Sequence, residues 1–170
     1  MTQKQVYSVV SQHNGFEVRR YQKCVLVQAK QRGDFMAAGN RAFGSLLGYI
    51  SGANANRQKI AMTAPVIQQP LASGEHIISF VMPADFDIAD VPVPQASILE
   101  IKEVPEHLTA AHGFRGSWSW EKFEAEGAQL LRAVAAAGLE TSGSLYWSRF
   151  DPPFKPGFLK YNEVLIDLAN

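Results

Sequence analysis

The chain has 170 residues, with 16 Lys and Arg against 16 Asp and Glu, so its formal net charge is zero. A hydrophobic content of 46% calls for a packed core and excludes a disordered chain, at a length suited to one domain. The charge balance leaves no basic excess for a phosphate backbone, so no nucleic acid is expected among the partners. Cys24 is the one cysteine, so no internal disulfide forms, and no Cys/His cluster has zinc spacing. Met1 to Gln12 shows no apolar run after a basic start, and nowhere do about 18 apolar residues run together. The expectation is a cytoplasmic protein without a signal peptide or membrane span.

In chain order, Gly15 to Tyr21 alternates apolar and polar residues as a half-buried strand does. Cys24 to Ala29 is β-rich and follows a short turn, so the two are expected to form a hairpin. Asp34 caps a helix from Phe35 to Ile50, which Gly52 ends. Lys59 to Gln68 reads as a strand bounded at Pro65, and His76 to Met82 as another. Pro83 to Pro94 links two halves. Ser97 to Val104 and His107 to Phe114 are the next two strands, turned at Pro105-Glu106. A second helix spans about Trp118 to Ala137, with Ser117 or Ser119 as its cap. Ser144 to Phe150 and Asn162 to Leu168 are strands, joined by a stiff loop. Each half spells strand, strand, helix, strand, strand. The expected fold is therefore α+β: a single domain over residues 1–170 with pseudo-repeat halves of about 6–83 and 95–170. Eight mostly antiparallel strands would form a curved sheet or distorted barrel with one helix per half outside it.

At the helical repeat, Phe35, Gly39, Ala42, Leu46, Tyr49 and Ile50 share the core stripe of the first helix. Met36, Phe43 and Leu47 lie on its flank with Asn40 beyond them, and Gly44 and Gly48 stand on its back. Each of those glycines costs about 1 kcal/mol against alanine. Either another backbone packs closely there or the loss is tolerated; alternatively, small residues beside an apolar flank make a shelf for a flat ligand. The second helix places Trp120, Phe123, Gly127, Leu130, Leu131 and Val134 on one stripe.

The histidines, His13, His76, His107 and His112, lack HxxxH or HExxH spacing, which disfavours metal-dependent hydrolysis. There is no GxSxG elbow and no Gly-rich phosphate loop. Glu17, Glu100 and Glu163 are carboxylates on strands, expected on solvated faces; alternatively, a Glu163 pointing into the barrel would have a raised pKa and serve as a base or an anchor for a cation. The run Phe150-Asp151-Pro152-Pro153-Phe154-Lys155-Pro156-Gly157-Phe158 is stiffened by three prolines and offers two aromatic faces with a cation between them.

Several ordered blocks are familiar together: Phe16-Glu17-Val18-Arg19-Arg20-Tyr21, Tyr49-Ile50-Ser51-Gly52-Ala53-Asn54, Lys59-Ile60-Ala61-Met62-Thr63-Ala64-Pro65-Val66, Ile78-Ser79-Phe80-Val81-Met82-Pro83, and the run from Tyr146 through Pro156 to Asn162-Glu163-Val164. Over about Tyr7 to Leu168 the chain resembles the SOUL haem-binding protein family. The resemblance implies a distorted antiparallel eight-stranded barrel, two flanking helices and a pseudo-twofold repeat of ββαββ units. It also implies a carrier or buffer of haem or another tetrapyrrole, bound in a shallow apolar groove between the first helix and the late loop. Carried across, Asn40, Phe43 and Leu47 line the groove from the helix, and Phe154, Lys155 and Phe158 from the loop. Where some members place a basic helix residue at the propionates, this chain has Asn40 and Gly48. An axial histidine has no clear counterpart, so haem would be held without strong ligation. The architecture also resembles regulator effector-binding domains, which implies as alternatives a pocket for cationic amphipaths anchored by Glu163, or a hydrolase. No nucleophile–base pair supports the enzyme.

Overall fold

The computed structural model describes residues 2–170. In chain order the strands are β1 (Gln3–Lys4), β2 (Tyr7–His13), β3 (Phe16–Tyr21) and β4 (Cys24–Arg32), followed by helix α1 (Phe35–Ile50). Then come β5 (Thr63–Ala64), β6 (Val66–Pro70), β7 (Glu75–Val81), β8 (Leu99–Val104) and β9 (His107–Arg115). Helix α2 (Trp120–Ala136), β10 (Thr141–Arg149) and β11 (Tyr161–Leu168) complete the chain. Two compact units result: residues up to Val6 with Lys23–Pro105, and Tyr7–Gln22 with Glu106–Asn170.

In the first unit the antiparallel strands run β6-β7-β4-β8, and the short β1 pairs parallel with β5. Val25, Val27 and Ala29 of β4 and Ile78 and Phe80 of β7 point to one face, as the twofold strand period requires. Helix α1 covers them with Ala42, Leu46, Tyr49 and Ile50. Its boundaries are those expected from sequence, and its cap is Asp34, whose carboxylate accepts the Ala37 N–H at 2.9 Å. Every residue assigned to its core stripe is buried. The Tyr49–Asn54 block has a structural reason. Asn54, fully buried, donates to the carbonyls of Tyr49 and Gln58 at 2.9 and 2.8 Å and accepts the Gln58 N–H, which locks the chain leaving the helix.

In the second unit the antiparallel order is β2-β3-β9-β11-β10. Helix α2 packs on one face: Phe123 stacks on Trp147 at 5.6 Å, and a side chain at Gly127 would meet Leu145 and Val164. Ser119 is the cap. Phe123, Gly127, Leu130 and Val134 are buried as expected, whereas Trp120 and Leu131, assigned to the same stripe, are exposed. They stand at the margins of the stripe, and Trp120 still packs on Phe123 at 5.6 Å.

The α+β class and the antiparallel pairing agree with the sequence reading, with nine antiparallel strands in place of eight. The added strand is β2, which turns into β3 at Asn14-Gly15, where Gly15 takes φ +92°. The pairing expected between β3 and β4 does not form. β3 pairs with β2 and β9, and β4 with β7 and β8. Likewise β8 and β9 lie in different units. Each unit thus has a β-α-β-β run whose first strand is flanked by the leading strand of the other repeat. The stretch from Lys59 lies outside any strand until Thr63.

Candidate functional site

In the first unit, Asn40 and Leu47 are exposed on α1, as the flank assignment expected. Phe43 is only partly so: its ring packs edge-on against Phe80 at 5.5 Å and belongs to the core margin. A side chain at Gly44 or Gly48 would meet nothing within 4 Å, so no backbone packs closely there.

In the second unit, the loop between β10 and β11 is fastened at its base. Asp151 accepts the Tyr161 N–H at 2.6 Å with one oxygen and the Lys155 ammonium at 2.7 Å with the other. Burial would raise its carboxyl, but the Lys155 and Tyr161 hydrogen bonds overcome that and hold it below the usual value. Gly157 lies against Ser117 so closely that a side chain there would overlap the hydroxyl. Arg115 donates to the Leu159 carbonyl at 3.0 Å. With its base fixed, the loop holds Phe154 88% and Phe158 75% exposed. Lys155, assigned from sequence to meet an acidic ligand group, is already committed to an internal carboxylate.

The face of this unit away from α2 carries a buried ion cluster. Alternation on β11 turns Glu163 away from Val164, and on β3 it turns Arg19 to the same side. Arg19 donates through Nε to Glu17 Oε1 at 2.7 Å and through Nη1 to the Tyr21 hydroxyl at 2.8 Å and to Glu163 Oε2. Its guanidinium lies 4.2 Å from the centre of the Tyr7 ring. Burial would lower the Arg19 pKa; Glu163, Tyr21 and Glu17 reverse this, so it stays charged. Burial pushes Tyr161 up to about 12. Gly113 leaves room for the Tyr161 hydroxyl, which a side chain there would displace. Beside the cluster is an open cleft of about 280 Å³ that includes Gln12, His13, Glu17 and Tyr161. Arg19, Tyr161 and Gly113 were not singled out from the sequence. One signal was available: of two consecutive arginines on a strand, Arg19 and Arg20, one must face inward.

Each histidine has a protein partner. His13 meets the Ser11 hydroxyl at 2.9 Å, and His112 meets Glu126 at 2.8 Å. His107 stacks on Tyr21 at 5.6 Å. His76 lies between the Gly33 carbonyl and the Gln68 amide. Among the described residues, no group of three His, Cys, Asp or Glu side chains is gathered to hold a metal ion, and no helix is long and apolar enough to cross a membrane.

The SOUL heme-binding protein family matches residues 2–167. The chain belongs to the SOUL haem-binding protein family. No curated protein matches it. Among solved structures, it is similar to a chain of the EcmrR–DNA complex in EcmrR-RPo at 10% identity and a TM-score of 0.68. That match covers 90% of this chain and 56% of the other. A hydrolase from Listeria innocua aligns at 11% identity and a TM-score of 0.64, covering 94% of each chain. SAV2435 bound to tetraphenylphosphonium aligns at 10% identity and 0.53, covering 91% and 94%. At these identities the likeness shows a shared fold, one found in a protein of a DNA complex, a hydrolase and a tetraphenylphosphonium-bound protein. An expectation of no nucleic-acid partner therefore gains no support from the fold.

Proposed function

We propose that this SOUL family member binds haem or a related tetrapyrrole as a carrier or buffer, with apolar burial supplying the affinity. The observation that carries the reading is the pair of outward phenyl rings, Phe154 and Phe158, on a loop whose base is fixed. A rigid loop exposing two large apolar side chains has already met the ordering cost of covering a flat apolar ligand. Leu47, exposed on α1 of the first unit, is a second apolar surface to be tested separately; Asn40 and Phe43 beside it contribute a polar edge and a partly buried ring. These side chains suit the apolar macrocycle. When bound, haem supplies its own iron chemistry. The chain's part is to cover the macrocycle and exclude water. No histidine is assigned as a strong axial ligand.

Haemin titration followed by absorbance tests this. A saturable Soret shift is expected, unchanged by single alanine replacements of His13, His76, His107 and His112. Leu47→Asp should stay folded by circular dichroism and lose affinity, because a carboxylate on an apolar contact is desolvated and meets propionates of like charge. No saturable Soret change would refute the reading.

The cleft beside Glu17 favours a second reading, a small cationic ligand. Arg19 is shared by Glu17 and Glu163, which leaves one net negative charge, and a bound cation would meet it at Glu17, the more exposed of the two, whose Oε2 is held by Gln12 at 3.0 Å. Saturable binding of a cationic dye, lost in Glu17→Gln without any Soret change, would favour it.

A further inference from the structure

The strand β2 ends the order of the second unit, with β3 as its neighbour on one side. Of its seven residues, Tyr7-Ser8-Val9-Val10-Ser11-Gln12-His13, none is Asp, Glu, Lys, Arg or Pro. Tyr7, Val9 and Val10 are 41%, 48% and 50% exposed. Its register against β3 slips between Val9 and Ser11, so Val10 is the extra residue of a bulge, and both valines face solvent. An uncharged edge with exposed β-branched side chains is a template for a further strand; besides a bulge, which β2 has, proteins blunt such an edge with charge or proline, which β2 lacks. The strand at the end of the first unit's order is blunted in that way. β8 carries Glu100, Lys102 and Glu103 and runs into Pro105.

The sequence of β2 reads almost the same in both directions: Tyr-Ser-Val, then Val-Ser-Gln. An antiparallel pairing about a twofold axis between Val9 and Val10 sets Val9 of one copy opposite Val10 of the other. It sets Ser8 opposite Ser11 and Tyr7 opposite Gln12. Apolar groups meet apolar groups, hydroxyls meet hydroxyls, and no like charges face each other. A chain of zero net formal charge adds no long-range repulsion. We infer that β2 is the self-association edge of this protein, pairing with β2 of a second copy in an isologous, antiparallel dimer.

The test is the molar mass of the full chain by light scattering, from low micromolar to several hundred micromolar. The parent should approach twice 18.7 kDa at the top of the range and fall toward 18.7 kDa on dilution. Val10→Lys places two ammonium groups beside the axis and should remain at 18.7 kDa throughout, with an unchanged circular dichroism spectrum. A parent that is monomeric at every concentration overturns the inference, as does a Val10→Lys protein that dimerises like the parent. Amide hydrogen exchange on the unmodified chain decides independently of any variant. Protection of residues 8–12 should rise with concentration; protection that does not change refutes the β2 edge.

Discussion

In both units the strand that leads into the helix lies at the centre of its neighbours, β4 between β7 and β8, and β9 between β11 and β3. The faces turned away from the helices are filled differently. In the first unit, Gln28 and Ser79 stand opposite each other, a neutral amide and hydroxyl 3.5 Å apart. In the second, Arg19 joins Glu17 and Glu163, with Tyr21 and Tyr161 around them. One strand order thus supports a neutral central pair in one unit and a buried ionic cluster in the other, the first unit's far-face charges Glu100 and Lys102 lying exposed on its edge strand β8, and the chemistry is set by single residues rather than by topology. A neutral pair can be broken cheaply, whereas a buried charge that loses its partner cannot.

The sharpest way to break that contrast is Glu163→Ala, which leaves Arg19 buried beside Glu17 alone. It should cost about 3–5 kcal/mol. Ser79→Ala should cost about 0.5–1.5 kcal/mol. Denaturant unfolding followed by circular dichroism reads both variants, and indole emission from Trp118, Trp120 and Trp147, all in the second unit, reads Glu163→Ala a second way. Equal losses in the two variants would remove the contrast.

Adjacent leucines on α1 sharpen the view of the first unit. Leu46 is fully buried and Leu47 is exposed. Leu46→Ala should lose about 2–5 kcal/mol. Leu47→Ala should stay within about 0.5 kcal/mol of the parent. Thermal unfolding by circular dichroism separates them.

His76 gives the first unit a pH dependence of its own. Burial, the largest influence, pulls its pKa down, against the Gly33 carbonyl and Asp34, which pull it up. The folded state therefore prefers the neutral ring, with Nε2 donating to Gly33 and Nδ1 accepting from Gln68. Its contribution is complete above the unfolded value of about 6.5 and is lost as pH falls through the lower folded value. The melting temperature of the parent should drop more than that of His76→Gln between about pH 7 and pH 5. Parallel pH curves would contradict this assignment.

The smallest effect is a gain. Gly44 and Gly48 sit in α1 with open space where a side chain would go. Gly44→Ala and Gly48→Ala should each stabilise by about 0.5–1 kcal/mol in the same thermal measurement. A loss in either would reveal a contact that the helix surface does not show.

Helix α1 was legible because its signals are local: the Asp34 cap, a stripe at the helical period and Gly52 beyond the end. The exchange of leading strands was not. Gln22-Lys23 and Pro105-Glu106 resemble hairpin turns, yet the strands on either side find partners far along the chain. β2 escaped notice because an exposed edge lacks the alternation that burial imposes, although Asn14-Gly15 marked its turn. Of the site, the exposed loop and Leu47 could be read from pattern, whereas Phe43 was drawn partly into the core by Phe80. The Arg19–Glu163 pair joins residues 144 positions apart, which no window along the sequence spans.

The central claim is that apolar contact, and not a cation at the propionates, holds the tetrapyrrole. Covering one exposed phenyl side chain is worth about 1.5–3 kcal/mol. A rim lysine paired with a propionate adds about 0–1 kcal/mol, and Lys155 would have to share its charge with Asp151. A haemin titration comparing Phe154→Ala/Phe158→Ala with Lys155→Ala tests this most directly. The account predicts at least a tenfold loss of affinity for the double variant and less than tenfold for Lys155→Ala, since ten is about 1.4 kcal/mol. The reverse order would contradict it.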